Sequence, residues 1–153
     1  MSCCKNWLPA VLLGFWTLWF AVVSASNLAD LAHSLGWLPP GWRFVSGNYA
    51  LLEKTTSIYS LPSWGNLALF IGVIAWELVA TCLLARTLAA ACRGALSARP
   101  LDRAIAVAAG LFAAFVLADE LLLAFATGLE ATHLRILVAL LVTLLVVRPP
   151  QSP

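Results

Sequence analysis

Charge is what this chain has least of: 10% of its 153 residues are Asp, Glu, Lys or Arg, against roughly 25% in an ordinary soluble domain. The polar surface of a water-soluble enzyme cannot be built from so few. The net charge of +2 is too small to form a nucleic-acid-binding face, and no nucleic-acid partner is expected. Among the four cysteines, Cys3, Cys4, Cys82 and Cys92, there is no C-x-x-C pair, which argues against a thiol–disulfide enzyme. Catalytic serine, phosphate-loop and dinucleotide fingerprints are absent as well. No enzymatic activity, cofactor or metal site is therefore expected.

What is abundant is apolar: 62% of residues are hydrophobic, seven are Trp, and the mean hydropathy is +0.93. A soluble monomer would have to expose large apolar patches. In a bilayer, at about 20 residues per helix, the chain supplies four spans and little else. They are predicted at about 7–26, 64–90, 103–127 and 132–148, within one transmembrane domain, 1–153. A signal-peptide reading competes for the first, because Lys5 precedes an apolar stretch ending in Val23-Ser24-Ala25. That stretch is longer and more aromatic than an ordinary leader.

Between the first two spans, Ser26 to Ser63 turns to Asn, Asp, Gly, Pro and Ser, punctuated by Pro39-Pro40-Gly41 and Ser46-Gly47-Asn48. Its Trp37, Trp42, Phe44, Tyr49 and Tyr59 suit an interfacial aromatic belt, or a lid or docking surface for a partner. Ala29 to Leu38 either continues the first helix or forms a short interfacial one, ended by the prolines. The third and fourth spans are joined by about five residues, so they must be antiparallel neighbours. Small residues along the third, from Ala104 to Ala114, allow close helix contact. The fold class is all-α, an integral membrane four-helix bundle with a long aromatic outer loop.

Arginine bias orients it. Arg86, Arg93, Arg99 and Arg103 surround the second connection, and Lys5 and Arg148 flank the ends. The opposite side has Arg43, Lys54 and Arg135 beside Asp30, Glu53 and Glu130. By the positive-inside rule both termini are cytoplasmic. The cysteines then fall on or near the reducing side, where Cys3 and Cys4 either accept lipid or have no role.

Ionisable groups within spans cost at least ~2.5–3.5 kcal/mol each at the bilayer centre, and so need partners or water. Glu77 is central in the second span. Asp119 and Glu120 lie in the outer half of the third, and adjacent helical residues project about 100° apart, so the two face different neighbours. Counterparts at outer depth are Arg135 and His133 on the fourth span, with Asn27 and Asp30 at the end of the first. Arg135 with Glu120 or Asp119 is the best pair on depth. Glu77, with no cation at its level, calls for a proton, or for a hydroxyl or amide from another helix. These acids act as internal glue, as a proton or ion pathway, or as a contact to another subunit. His33 and His133 also raise a bis-histidine haem. Its ligands would have to face each other inside the bundle, and His33 stands in a loop-like stretch beside Gly36 and Pro39.

Ser26-Asn27-Leu28-Ala29-Asp30, Ala75-Trp76-Glu77, Ala118-Asp119-Glu120 and Arg135 together resemble the bacterial predicted small integral membrane protein family of unknown function, over about Leu12 to Leu145. The resemblance implies four spans, a long aromatic outer loop, an Asn-x-x-Asp-like element, a Trp-Glu pair, an acid near the outer end of the third helix, and the inner (plasma) membrane of a bacterium. The chain departs from it between Gly128 and His133, where the family usually has a Trp-rich turn. No activity comes with the family. Two functions are carried forward. One is a non-catalytic accessory subunit of a larger membrane complex, respiratory or otherwise energy-converting, with the bilayer and other subunits as partners. The other is a small proton-coupled transporter or channel, homo-oligomeric, using Glu77 and Asp119/Glu120. A quinone or haem redox protein is a third.

Overall fold

The computed structural model describes residues 7–122 and 128–149. Cys3, Cys4, Lys5 and the expected end of the third span at Thr127 lie outside them. Every regular element among the described residues is helical: α1 (Trp7–Ser34), α2 (Asn48–Thr56) with a 3-10 turn (Ser57–Tyr59), α3 (Ser63–Cys92), α4 (Ala98–Leu121) and α5 (Leu129–Val147). Four of these, α1, α3, α4 and α5, are long and apolar enough to cross a membrane.

The faces of these four are arranged inside out relative to a soluble bundle. Pointing away from the protein are Val11, Phe15, Leu18 and Val22 on α1, and Leu69, Ile71, Leu78 and Val79 on α3. Enclosed instead are Ser24, Asn27, Asp30, Asn66, Glu77, Thr87, Asp119 and Thr143. Unpaired polar groups facing hydrocarbon cost several kcal/mol each, so a bundle surrounded by lipid turns them toward neighbouring helices.

α1 packs chiefly on α3, α3 on α4 and α4 on α5, and α1 closes the ring by touching α5. Inward positions recur at spacings of three and four: 13, 16, 20, 24, 27 and 31 on α1 and 66, 70, 74, 77, 80, 84 and 87 on α3, one face of a helix with 3.6 residues per turn. The two run antiparallel, for Asn27 meets Glu77 while Gly14 lies against Leu88. α4 is the most enclosed of the four. Its buried Ala104, Ala108 and Ala109 bring the neighbouring backbones close. The main core joins Leu13, Phe20, Leu84, Leu101, Ile105, Leu111 and Leu140. Within it the Trp16 indole donates to the Thr143 hydroxyl at 2.9 Å, tying α1 to α5.

The first helix continues, one of the two readings open for Ala29 to Leu38, while the loop setting of His33 and the single long loop are revised. α1 runs unbroken to Ser34, so its polar end, Asn27 and Asp30, is helical, and His33 occupies the last helical turn rather than a loop. The segment expected to be one long loop folds in part as α2. Its start is made possible by Gly47, at φ 75°, a left-handed conformation that a side chain disfavours.

Candidate functional site

At the end of the bundle that carries α2, the buried polar groups form three connected sets. In the first, Asn27 Nδ2 donates to Glu77 Oε1 at 2.8 Å and to Oε2 at 3.0 Å. Its Oδ1 accepts from Asn48 Nδ2 at 2.9 Å. One amide thus links α1, α2 and α3, and its orientation follows from having a donor on one side and a carboxylate on the other. Asn27 and Glu77 are 2% and 3% exposed. The amide partner that Glu77 requires is Asn27.

In the second set, Asp30 serves as a cap supplied by another helix. The first turn of α2 has backbone N–H groups without intrahelical acceptors, and Gly47 has no side chain to meet them. Asp30 Oδ2 accepts from Tyr49 N at 2.9 Å and from the Ser46 hydroxyl at 3.0 Å, and Ser46 Oγ accepts from Asn48 N at 3.2 Å. A carboxylate at a helix N-terminus is also favoured by the helix dipole. Spaced by three, Asn27 and Asp30 share a face of α1, and both hold α2. At the other end of α2 the Thr56 hydroxyl donates to Asn66 Oδ1 at 2.7 Å. The Tyr59 hydroxyl then donates to the Leu121 carbonyl at 2.5 Å, meeting one of the unpaired carbonyls that end α4. Desolvation, followed by the neighbouring Glu53 carboxylate, holds the Tyr49 phenol above its ordinary pKa. It stays neutral, its ring 5.4 Å from that of Phe70.

The third set joins α4 to α5. His133 Nδ1 and Asp119 Oδ2 are 2.6 Å apart, and the imidazole lies against Phe115 and Phe112 at 4.9 and 6.1 Å between ring centres. This corrects the expected pairing of Arg135 with Glu120 or Asp119. Arg135 and Glu120 are both exposed, and among the described residues the close acid–base contacts are Asp119–His133, an ion pair only when the imidazole is protonated, and Arg148–Asp102. The cause is rotational. His133 and Arg135 lie 200° apart on α5, so when one faces α4 the other cannot. Likewise Asp119 turns inward and Glu120, 100° away, turns out.

Trp76 and Glu77 divide the same way. While Glu77 meets α1, the Trp76 indole donates to the Val107 carbonyl of α4 at 2.9 Å. Sequence reasoning read Ser46 and Asn48 as turn punctuation and did not single out Asn66, which falls within the expected second span. The signal available for the first two was Ser46-Gly47-Asn48 running into the helix formers Ala50-Leu51-Leu52-Glu53-Lys54.

The first and third sets face each other across a cavity of about 300 Å³. Asn27, Glu77, Asp119 and His133 all line it, with Asn48, Leu51, Leu52 and Thr55 of α2. The remaining wall is mostly apolar, with the rings of Trp19, Phe70, Phe112 and Phe115. Among the described residues no group of three or more His, Cys, Asp or Glu side chains converges as metal ligands would. Compared with models of known families, with curated proteins and with solved structures, the chain matches none.

Proposed function

We propose that the chain is a small integral protein of the bacterial inner membrane, with both termini cytoplasmic and α2 outside, acting as a non-catalytic accessory subunit of a larger membrane complex, respiratory or otherwise energy-converting. The gathering of Arg86, Arg93, Arg99, Arg103 and Arg148 at one end of the bundle supports the orientation. The observation that carries the subunit reading is the internal use of the buried polar groups. Asn27, Asp30, Glu77, Asp119 and His133 are engaged with one another or with α2, the arrangement of residues that hold helices in register. Around them Trp37 and Trp64, 76% and 74% exposed, with Trp42, Phe44 and Tyr59, form an aromatic rim on which a partner can pack. Membership of the family named by resemblance is part of this proposal. Of the residues that carry that resemblance, Asn27, Asp30, Trp76, Glu77 and Asp119 bridge helices here, while Glu120 and Arg135 are exposed.

The test is purification from its native membrane in mild detergent with mass analysis of the intact particle. A membrane partner in fixed stoichiometry is the expected result. A lone monomer or a simple homo-oligomer would remove the reading.

A second reading, an oligomeric proton-coupled transporter or channel, is favoured by Glu77 and Asp119 lining the same cavity. It requires proton or solute flux in liposomes above the empty-liposome level, reduced by Glu77→Gln.

A further inference from the structure

We propose that the cavity beneath α2 binds a small organic cation, an amine or quaternary ammonium group on an apolar body of about a dozen non-hydrogen atoms. The inference goes beyond the accessory-subunit reading and is independent of it.

Size comes first. A dry apolar cavity of ~150 Å³ accepts benzene, so about 300 Å³ has room for roughly twice that many non-hydrogen atoms. The walls then select the chemistry. Trp19, Phe112 and Phe115 contribute ring surfaces, and ring faces attract a cation most strongly where water is excluded. Charge completes the argument. Glu77 lies on the wall, 3% exposed. Its contacts from other side chains come from a single neutral amide nitrogen, Asn27 Nδ2, and among the described residues no cation lies within ion-pair distance of it. The opposing acid, Asp119, already has His133. A positive ligand therefore meets one carboxyl group whose side-chain contacts are all neutral, with aromatic surface around it. An anionic ligand would meet two acids, and a neutral one would leave Glu77 as it is.

Benzyltrimethylammonium and its uncharged carbon analogue neopentylbenzene have the same shape and differ only in charge. Each is titrated calorimetrically into the full-length chain in lipid nanodiscs, with empty nanodiscs subtracted. The cation is expected to bind about 30-fold more tightly than the analogue, a ratio to which the charge of Glu77 and cation–π contact with the rings both contribute. Glu77→Gln, which keeps an acceptor for Asn27, should lower that ratio by about fivefold or more while leaving the analogue's affinity unchanged. Ala118→Phe places a ring into the cavity from α4 and should abolish binding of both without a fall in melting temperature, which separates loss of the site from loss of the fold. Equal affinity for the two probes, binding of neither by the folded parent chain, or a cation preference undiminished by Glu77→Gln would overturn the proposal.

Discussion

Asn27 presents one amide nitrogen to both carboxyl oxygens of Glu77, at 2.8 and 3.0 Å, across the contact between α1 and α3. Each residue is the other's means of being buried. Because the Asn27 oxygen simultaneously accepts from Asn48, the pair also fixes where α2 sits. Bonds in such a chain polarise and strengthen one another.

Replacing Asn27 with Leu, of similar volume, strands the Glu77 carboxyl group and should lower stability by about 1–2 kcal/mol. Glu77→Leu in the same chain removes the stranded group, so the double variant should recover most of the loss. Thermal unfolding in detergent of both singles and the double measures this, and additive losses would show that the two side chains do not interact.

Asp30 should matter to α2 alone. Asp30→Ala deprives Tyr49 N and the Ser46 hydroxyl of their acceptor, a cap loss of about 1 kcal/mol, equivalent to about fivefold faster local opening. Hydrogen exchange should quicken over Asn48–Thr56 and remain unchanged in α4. Asp30→Asn, which keeps one acceptor oxygen, should have the smaller effect.

On α5 the consequential residue is His133. His133→Ala and Asp119→Ala should each lower stability by about 1–3 kcal/mol, the cost of leaving a buried polar group unsatisfied, and together they should cost little more than either alone. Arg135→Ala and Glu120→Ala, both exposed, should stay within about 0.5 kcal/mol of the parent. A melting temperature more sensitive to Arg135 than to His133 would contradict the observed pairing.

The proposed orientation predicts a labelling pattern. With Cys3 and Cys4 changed to Ser, the exposed Cys92 at the end of α3 should react with an impermeant maleimide only in inverted vesicles. A cysteine at the exposed Ser57, after α2, should react only in right-side-out cells. The opposite pattern would reverse the topology.

Position along the helix axes could be read from the chain itself, because it is counted in residues at 1.5 Å each. The four long apolar helices, the short link that makes α4 and α5 neighbours, the central position of Glu77 and its need for a proton or for a hydroxyl or amide partner were all legible from the spacing of apolar runs. Azimuth was not. In a soluble helix the apolar stripe marks the inward face, but these helices are apolar on both faces, so nothing local says whether Asp119 or Glu120, His133 or Arg135, turns inward. That choice was decided by packing. α4 presents Ala104, Ala108 and Phe112 to its neighbours, and this rotation brings Asp119 in and sends Glu120 out. α2 eluded the reading for a related reason: nine residues of modest apolarity make a marginal helix alone, and it is anchored by Asp30 and Asn27, eighteen or more residues earlier in the chain. The cavity between Glu77 and His133 belongs wholly to the tertiary structure, since five helices contribute to its wall and no one of them carries its outline.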